Sequence, residues 1–167
     1  MSNTKPSPET KALRSALKLA KSGSFDEAQA MVAGVERGGL STDDLRTLAL
    51  VHSYCGHESE AGQTWESICA RADVGIGDCY MLATTQINLG HSEQAIEYLQ
   101  REIAASDSRG DASYLSVSAI NLAFLLVRKG RKAEAQEVLQ RLGDSEGTYI
   151  HGVGQVTKRD LLAKLGS

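Results

Sequence analysis

The chain has 167 residues, 41% of them apolar and 23% charged, enough to fold and bury a core and too apolar for a disordered tail. Eighteen Lys and Arg against twenty-one Asp and Glu leave a net charge of -3, so the excess of positive charge that grips a phosphate backbone is missing and nucleic acid is not an expected partner. Aromatics at 5% and two prolines, beside many Ala and Leu, favour helix over sheet.

Residues 1–8 are polar, contain Pro6 and Pro8, and read as a flexible N-terminal tail without the apolar stretch of a signal peptide. Ser7-Pro8-Glu9 then places Pro at a first helical position. From there to residue 142 one pattern occurs four times: an Ala, a Gly seven residues later, and a second Ala five further on. The instances are Ala16-Gly23-Ala28, Ala49-Gly56-Ala61, Ala83-Gly90-Ala95 and Ala123-Gly130-Ala135, with successive glycines 33, 34 and 40 residues apart. A small residue on each of two antiparallel helices lets their backbones approach, and Gly ends the first helix in a left-handed conformation at no Cβ penalty. Each copy is therefore a predicted helix hairpin, and residues 9–142 form four of them.

Local signals agree. Ser24 followed by Glu27 reads as a capping box for the helix that contains Ala28. Each second helix has one apolar face: Ala28, Met31, Val32 and Val35; Ala61, Trp65 and Ile68; Ala95, Leu99 and Ile103; Ala135, Val138, Leu139 and Leu142. A lone hairpin cannot bury both its faces, so the units must stack. Six extra residues, Ser106 to Asp111, precede the fourth unit and predict a longer loop or an extra turn on the helix after Asp111. Residues 143–167 read as a linker and a capping helix. The stretch from Gly143 to Gln155 holds four glycines, Tyr149, Ile150 and Val153 are expected to tuck it against the array, and a helix opened by Thr157 supplies Leu161, Leu162 and Leu165 to the last apolar face.

These residues resemble the tetratricopeptide repeat (TPR) family, whose unit of about 34 residues has a small residue on its first helix, Gly at the turn, and Ala before a large apolar residue on its second. The resemblance covers residues 9–142 and implies an all-α fold, a right-handed superhelical solenoid of helix hairpins with a C-terminal capping helix. Departures exist. None of the units ends in the family's usual proline, and the large aromatic often found late in the first helix is replaced by Leu19, His52, Gln86 and Leu126.

No constellation for catalysis or metal binding stands out. Cys55, Cys69 and Cys79 are an odd number without CxxC spacing, which suits a reducing cytoplasm. No run approaches 18 apolar residues, so no membrane span is expected. The histidines, His52, His57, His91 and His151, form no HExxH, and His52 and His57 lie about 140° apart around a helix. Cys55, His57 and His91 could meet at adjacent turns, but satisfied or solvated side chains are the better reading. His52 occupies a usually buried position and is expected to be a core histidine hydrogen-bonded to a neighbour. Gly75-Ile76-Gly77 and Gly152-Val153-Gly154 lack the strand and the Gly-Lys-Ser/Thr order of nucleotide-binding loops, and both read as turns. Cys69 and Cys79 have no evident base beside them. No enzyme activity, metal or cofactor is expected.

Charge is uneven: residues 41–112 hold four basic and twelve acidic side chains, which could steer a basic partner segment to the centre or be a solvated surface. Arg128, Lys129, Arg131 and Lys132 bracket Gly130 and read as cations complementing a helix C-terminus.

The resemblance also implies where a partner binds, since TPR ligands lie on a concave face lined by the first helices. Carried over, the groove residues are Leu13, Leu17, Arg46, Leu50, Tyr54, Tyr80, Thr84, Asn88, Ile120, Phe124 and Arg128. Leu13 and Leu17 stand where the carboxylate clamp of chaperone-tail receptors needs Lys and Asn, so that ligand class is not expected. The implied function is a non-enzymatic protein–protein interaction module, adaptor or chaperone, that takes an apolar segment of a partner protein; the C-terminal helix or a second copy of the chain is the competing occupant of the groove. Two narrower readings are a translocator chaperone of type III secretion, which the chain resembles in length and acidity although those chaperones normally have three repeats, and a toxin-neutralising immunity protein that binds by surface complementarity.

Overall fold

The computed structural model describes residues 6–166, so residues 1–5 of the expected tail lie outside the described residues. The chain divides into two compact units, Met1–Val74 and Gly75–Ser167.

The first unit contains α1 (Pro8–Lys21), α2 (Phe25–Val32), α3 (Thr42–Tyr54) and α4 (Glu58–Cys69). Pro8 opens α1, and the Ser7 hydroxyl accepts the Thr10 N–H at 3.1 Å. α1 pairs with α2, α3 pairs with α4, and α1 lies alongside α3. Gly23 and Gly56 sit at the hairpin turns with φ of +88° and +76°, which only Gly adopts freely. Ala16, Ala28, Ala49 and Ala61 are each fully buried, as a close helix crossing requires.

The capping box expected at Ser24 and Glu27 does not form. The N–H that Glu27 would receive is already donated by Ser24 to the Leu19 carbonyl at 3.0 Å, the bond that closes the turn after α1. At ψ 64° the backbone of Ser24 also leaves the extended conformation from which a serine caps.

The second unit contains α5 (Asp78–Asn88), α6 (Ser92–Arg109), α7 (Leu115–Arg128), α8 (Lys132–Gln140), β1 (Gly147–Ile150), β2 (Gly154–Thr157) and α9 (Lys158–Leu165). Its hairpins repeat the same device, with Gly90 and Gly130 at φ of +82° and +73° and with Ala83, Ala95, Ala123 and Ala135 fully buried. The six extra residues lengthen the preceding helix instead of forming a loop or a turn on the next one. α6 runs to Arg109 because Ser106 continues the buried stripe of Leu99, Glu102 and Ile103, and Gly110, at φ +65°, then ends it. α7 packs on α6, α8, β1 and α9.

The glycine-rich stretch is not an irregular linker. β1 and β2 form an antiparallel hairpin, paired from Gly147 with Thr157 to Ile150 with Gly154. Its turn is closed by the Val153 N–H on the Ile150 carbonyl at 3.0 Å, with Gly152 and Gly154 both at positive φ. Alternation along a strand decides which side chains tuck in. Ile150 and Val156 join the core, whereas Tyr149 is 69% exposed and Val153, at the turn, 49% exposed, so two of the three residues expected to pack face solvent. α9 begins with a complete capping box between Thr157 and Asp160. Leu161 is buried and Leu165 packs partly on the core, but Leu162 is exposed.

Candidate functional site

In the first unit Leu13 is fully buried, on the same stripe of α1 as Ala16 and Ala20, and offers nothing to a partner. Leu17 and Leu50 are half-buried. Arg46, also half-buried, pairs with Asp43 at 2.6 Å, and Tyr54 near the end of α3 is 48% exposed. In the second unit Ile120 and Phe124 are core residues, because β1 and α9 pack onto α7 over the face where the groove was expected. Arg128 is exposed, its guanidinium 5.6 Å from the centre of the Phe124 ring.

Tyr80, Thr84 and Asn88 behave differently. They recur every four residues along α5 and, with Ile87, form one wall of a cleft of about 190 Å³. Asn121 of α7 contributes to the lining, and Tyr149, Ile150 and His151 of the β-hairpin form the facing wall. No Asp, Glu, Lys or Arg lines it. Another cleft, of about 300 Å³, lies between α6, α7 and α8, but its Asp107 and Glu134 are paired with Arg141 and Arg131, at 2.5 Å and 2.6 Å.

The α5 wall is fixed from below. Glu102 of α6, 1% exposed, accepts the N–H of Gly77 at 2.7 Å and of Tyr80 at 3.3 Å, placing a carboxylate at the positive end of α5. Gly77 has φ +93°, and a Cβ there would lie 2.6 Å from the Tyr114 ring. Tyr114 in turn packs against Tyr80, ring centres 5.4 Å apart. Burial and the neighbouring Tyr114 push the Tyr80 phenol upward, against the lowering influence of Asn121 and Thr148. Asn121 donates to the Val117 carbonyl at 2.8 Å, and Thr84 donates to the Met81 carbonyl at 2.9 Å, which leaves the Thr84 oxygen able to accept.

Asn121, Ile87 and the hairpin residues were not anticipated from sequence. The signal was present in Gly-Thr-Tyr-Ile followed two residues later by Gly-Val-Gly, an alternating run broken at a glycine turn.

Among the described residues no group of three His, Cys, Asp or Glu is placed to hold a metal. His52 is buried, but its Nδ1 has no hydrogen-bond partner, contrary to the sequence expectation, and burial holds its pKa down. His91 Nδ1 bonds Gln86 Oε1 at 2.8 Å, and His57 lies 3.8 Å from Glu60. No disulfide joins Cys55, Cys69 and Cys79, and burial raises the Cys55 thiol. Of the basic cluster, Lys129 and Arg131 pair with Glu93 at 2.9 Å and 3.7 Å.

The tetratricopeptide-repeat profile matches residues 79–104, the hairpin of α5 and α6 around Gly90. That hairpin carries the likeness to the tetratricopeptide-repeat family. The solved structure of MamA AMB-1 is similar to this chain with a TM-score of 0.63 at 16% identity, covering 79% of this chain and 69% of that one. At that identity the likeness is one of fold, an all-α helical repeat. No curated protein matches this chain. Among the described residues no helix is long and apolar enough to cross a membrane.

Proposed function

We propose that this chain is a non-enzymatic interaction module that holds an uncharged, largely apolar segment of a partner protein in the cleft between α5, α7 and β1, as an adaptor or chaperone. TPR units mediate protein–protein contacts, and the observation that carries the reading is the row Tyr80, Thr84, Asn88. These expected groove positions open onto a concave site with aromatic, aliphatic and neutral polar walls. Such a site disfavours a cation, since an ion placed there loses water and meets no Asp or Glu. Three cysteines without a disulfide fit a reducing cytoplasm.

Thr84→Arg places a long cation in the cleft. A twelve-residue peptide selected from a random display library against the full chain should bind Thr84→Arg at least ten-fold more weakly, and Thr84→Ser as the parent. Binding abolished by Glu97→Lys on the exposed side of α6 and untouched by Thr84→Arg would favour the surface-complementarity mode of an immunity protein.

A further inference from the structure

We infer that β1 receives the partner segment as a third strand along its outer edge; this rests on the cleft reading above and specifies how the segment is held. The Lys158 N–H donates to the Glu146 carbonyl at 2.9 Å, so the pair just outside the ladder is a hydrogen-bonded one. Pairs in an antiparallel ladder alternate. Thr148 with Val156 and Ile150 with Gly154 are then the pairs that exchange bonds, and the N–H and C=O of Gly147 and Tyr149 point away from β2.

Those outward groups have no backbone partner among the described residues. On the outer side of β2 the Thr157 N–H is taken by the Asp160 carboxylate at 2.9 Å. Natural edge strands are blunted by shortness, charged residues, Pro or a bulge. β1, Gly-Thr-Tyr-Ile, is short but has no charged residue or Pro, and it borders the cleft instead of bulk solvent alone.

The occupant follows from this chemistry. Outward N–H and C=O groups along an extended backbone are complementary to another extended backbone, lying about 4.8 Å away. Its alternate side chains would enter a cleft that has room for one or two residues of medium size and no Asp, Glu, Lys or Arg, so the segment is an uncharged extended peptide with apolar residues at alternate positions.

The test uses the full chain and the library-selected peptide as the probe. In the free chain the Gly147 and Tyr149 amides should exchange hydrogen rapidly; with peptide bound they should slow at least ten-fold. Tyr149→Pro removes the outward N–H without taking a ladder bond, and should weaken the probe at least ten-fold, beyond the loss caused by Tyr149→Ala. If Tyr149→Pro disturbs the hairpin, seen as shifted Ile150 and Val156 methyl signals, the exchange result on the parent chain decides. Unprotected Gly147 and Tyr149 amides in a complex that Thr84→Arg still abolishes would overturn strand addition and leave the cleft reading standing. A probe indifferent to Thr84→Arg as well, or no peptide selected at all, would defeat both. Amide protection that rises with protein concentration in the absence of peptide, alongside a sedimenting dimer lost in Tyr149→Pro, would give the edge to a second copy and overturn the proposal.

Discussion

The buried carboxylate of Glu102 accepts the N–H of Gly77 at 2.7 Å, so the second helix of the third hairpin caps the first. Sequence neighbours usually cap a helix. Here the cap comes from 25 residues away, and Gly77 itself has no side chain with which to do it. The same bond sets where α5 starts, and with it the position of the Tyr80, Thr84 and Asn88 wall.

Glu102→Ala strands the first amides of α5 in a buried place and should cost about 1–3 kcal/mol in urea denaturation. Glu102→Gln keeps one acceptor oxygen and should cost less. Equal stability of parent and Glu102→Ala would mean the capping bonds contribute nothing.

Phe124→Ala should destabilise the chain by about 3–5 kcal/mol, since the ring is 6% exposed within the core that α7 shares with Ile150 and Val156. The measurement is thermal or denaturant unfolding followed by circular dichroism. Unchanged stability with selective loss of peptide binding would return Phe124 to the groove.

His52 makes stability depend on pH. Burial, opposed by the Glu60 carboxylate and reinforced by Arg37 and His57, lowers its pKa in the folded chain below the ordinary value of 6.5. The unfolded state therefore binds the proton first, and stability falls as pH drops below about 6.5, levelling off once the folded-state pKa is passed. His52→Leu should flatten that part of the stability profile. A profile with the same slope in the variant would assign the dependence to other groups.

The hairpins were legible because their signal is local: an Ala–Gly–Ala spacing states where two helices touch and where the first one ends, and all eight alanines are fully buried. The length of α6 was not, because whether Ser106 extends a helix or opens a loop depends on the buried stripe it joins. Phe124 was misplaced for a related reason. Its position on a first helix faces a groove only if nothing covers it, and the cover is supplied by the β-hairpin and α9, more than 20 residues further along. Of the groove that the family resemblance implied, Tyr80, Thr84 and Asn88 line one wall of a cleft, while the opposite wall depends on a hairpin hidden among glycines.

The most direct measurement is chemical-shift mapping of the ¹⁵N-labelled chain during titration with the selected peptide. The cleft account predicts that the largest changes fall on Tyr80, Thr84, Asn88, Asn121 and Tyr149, from three elements distant in sequence. Changes confined to exposed residues of α6 and α8, such as Glu97, Gln100 and Glu137, would contradict it.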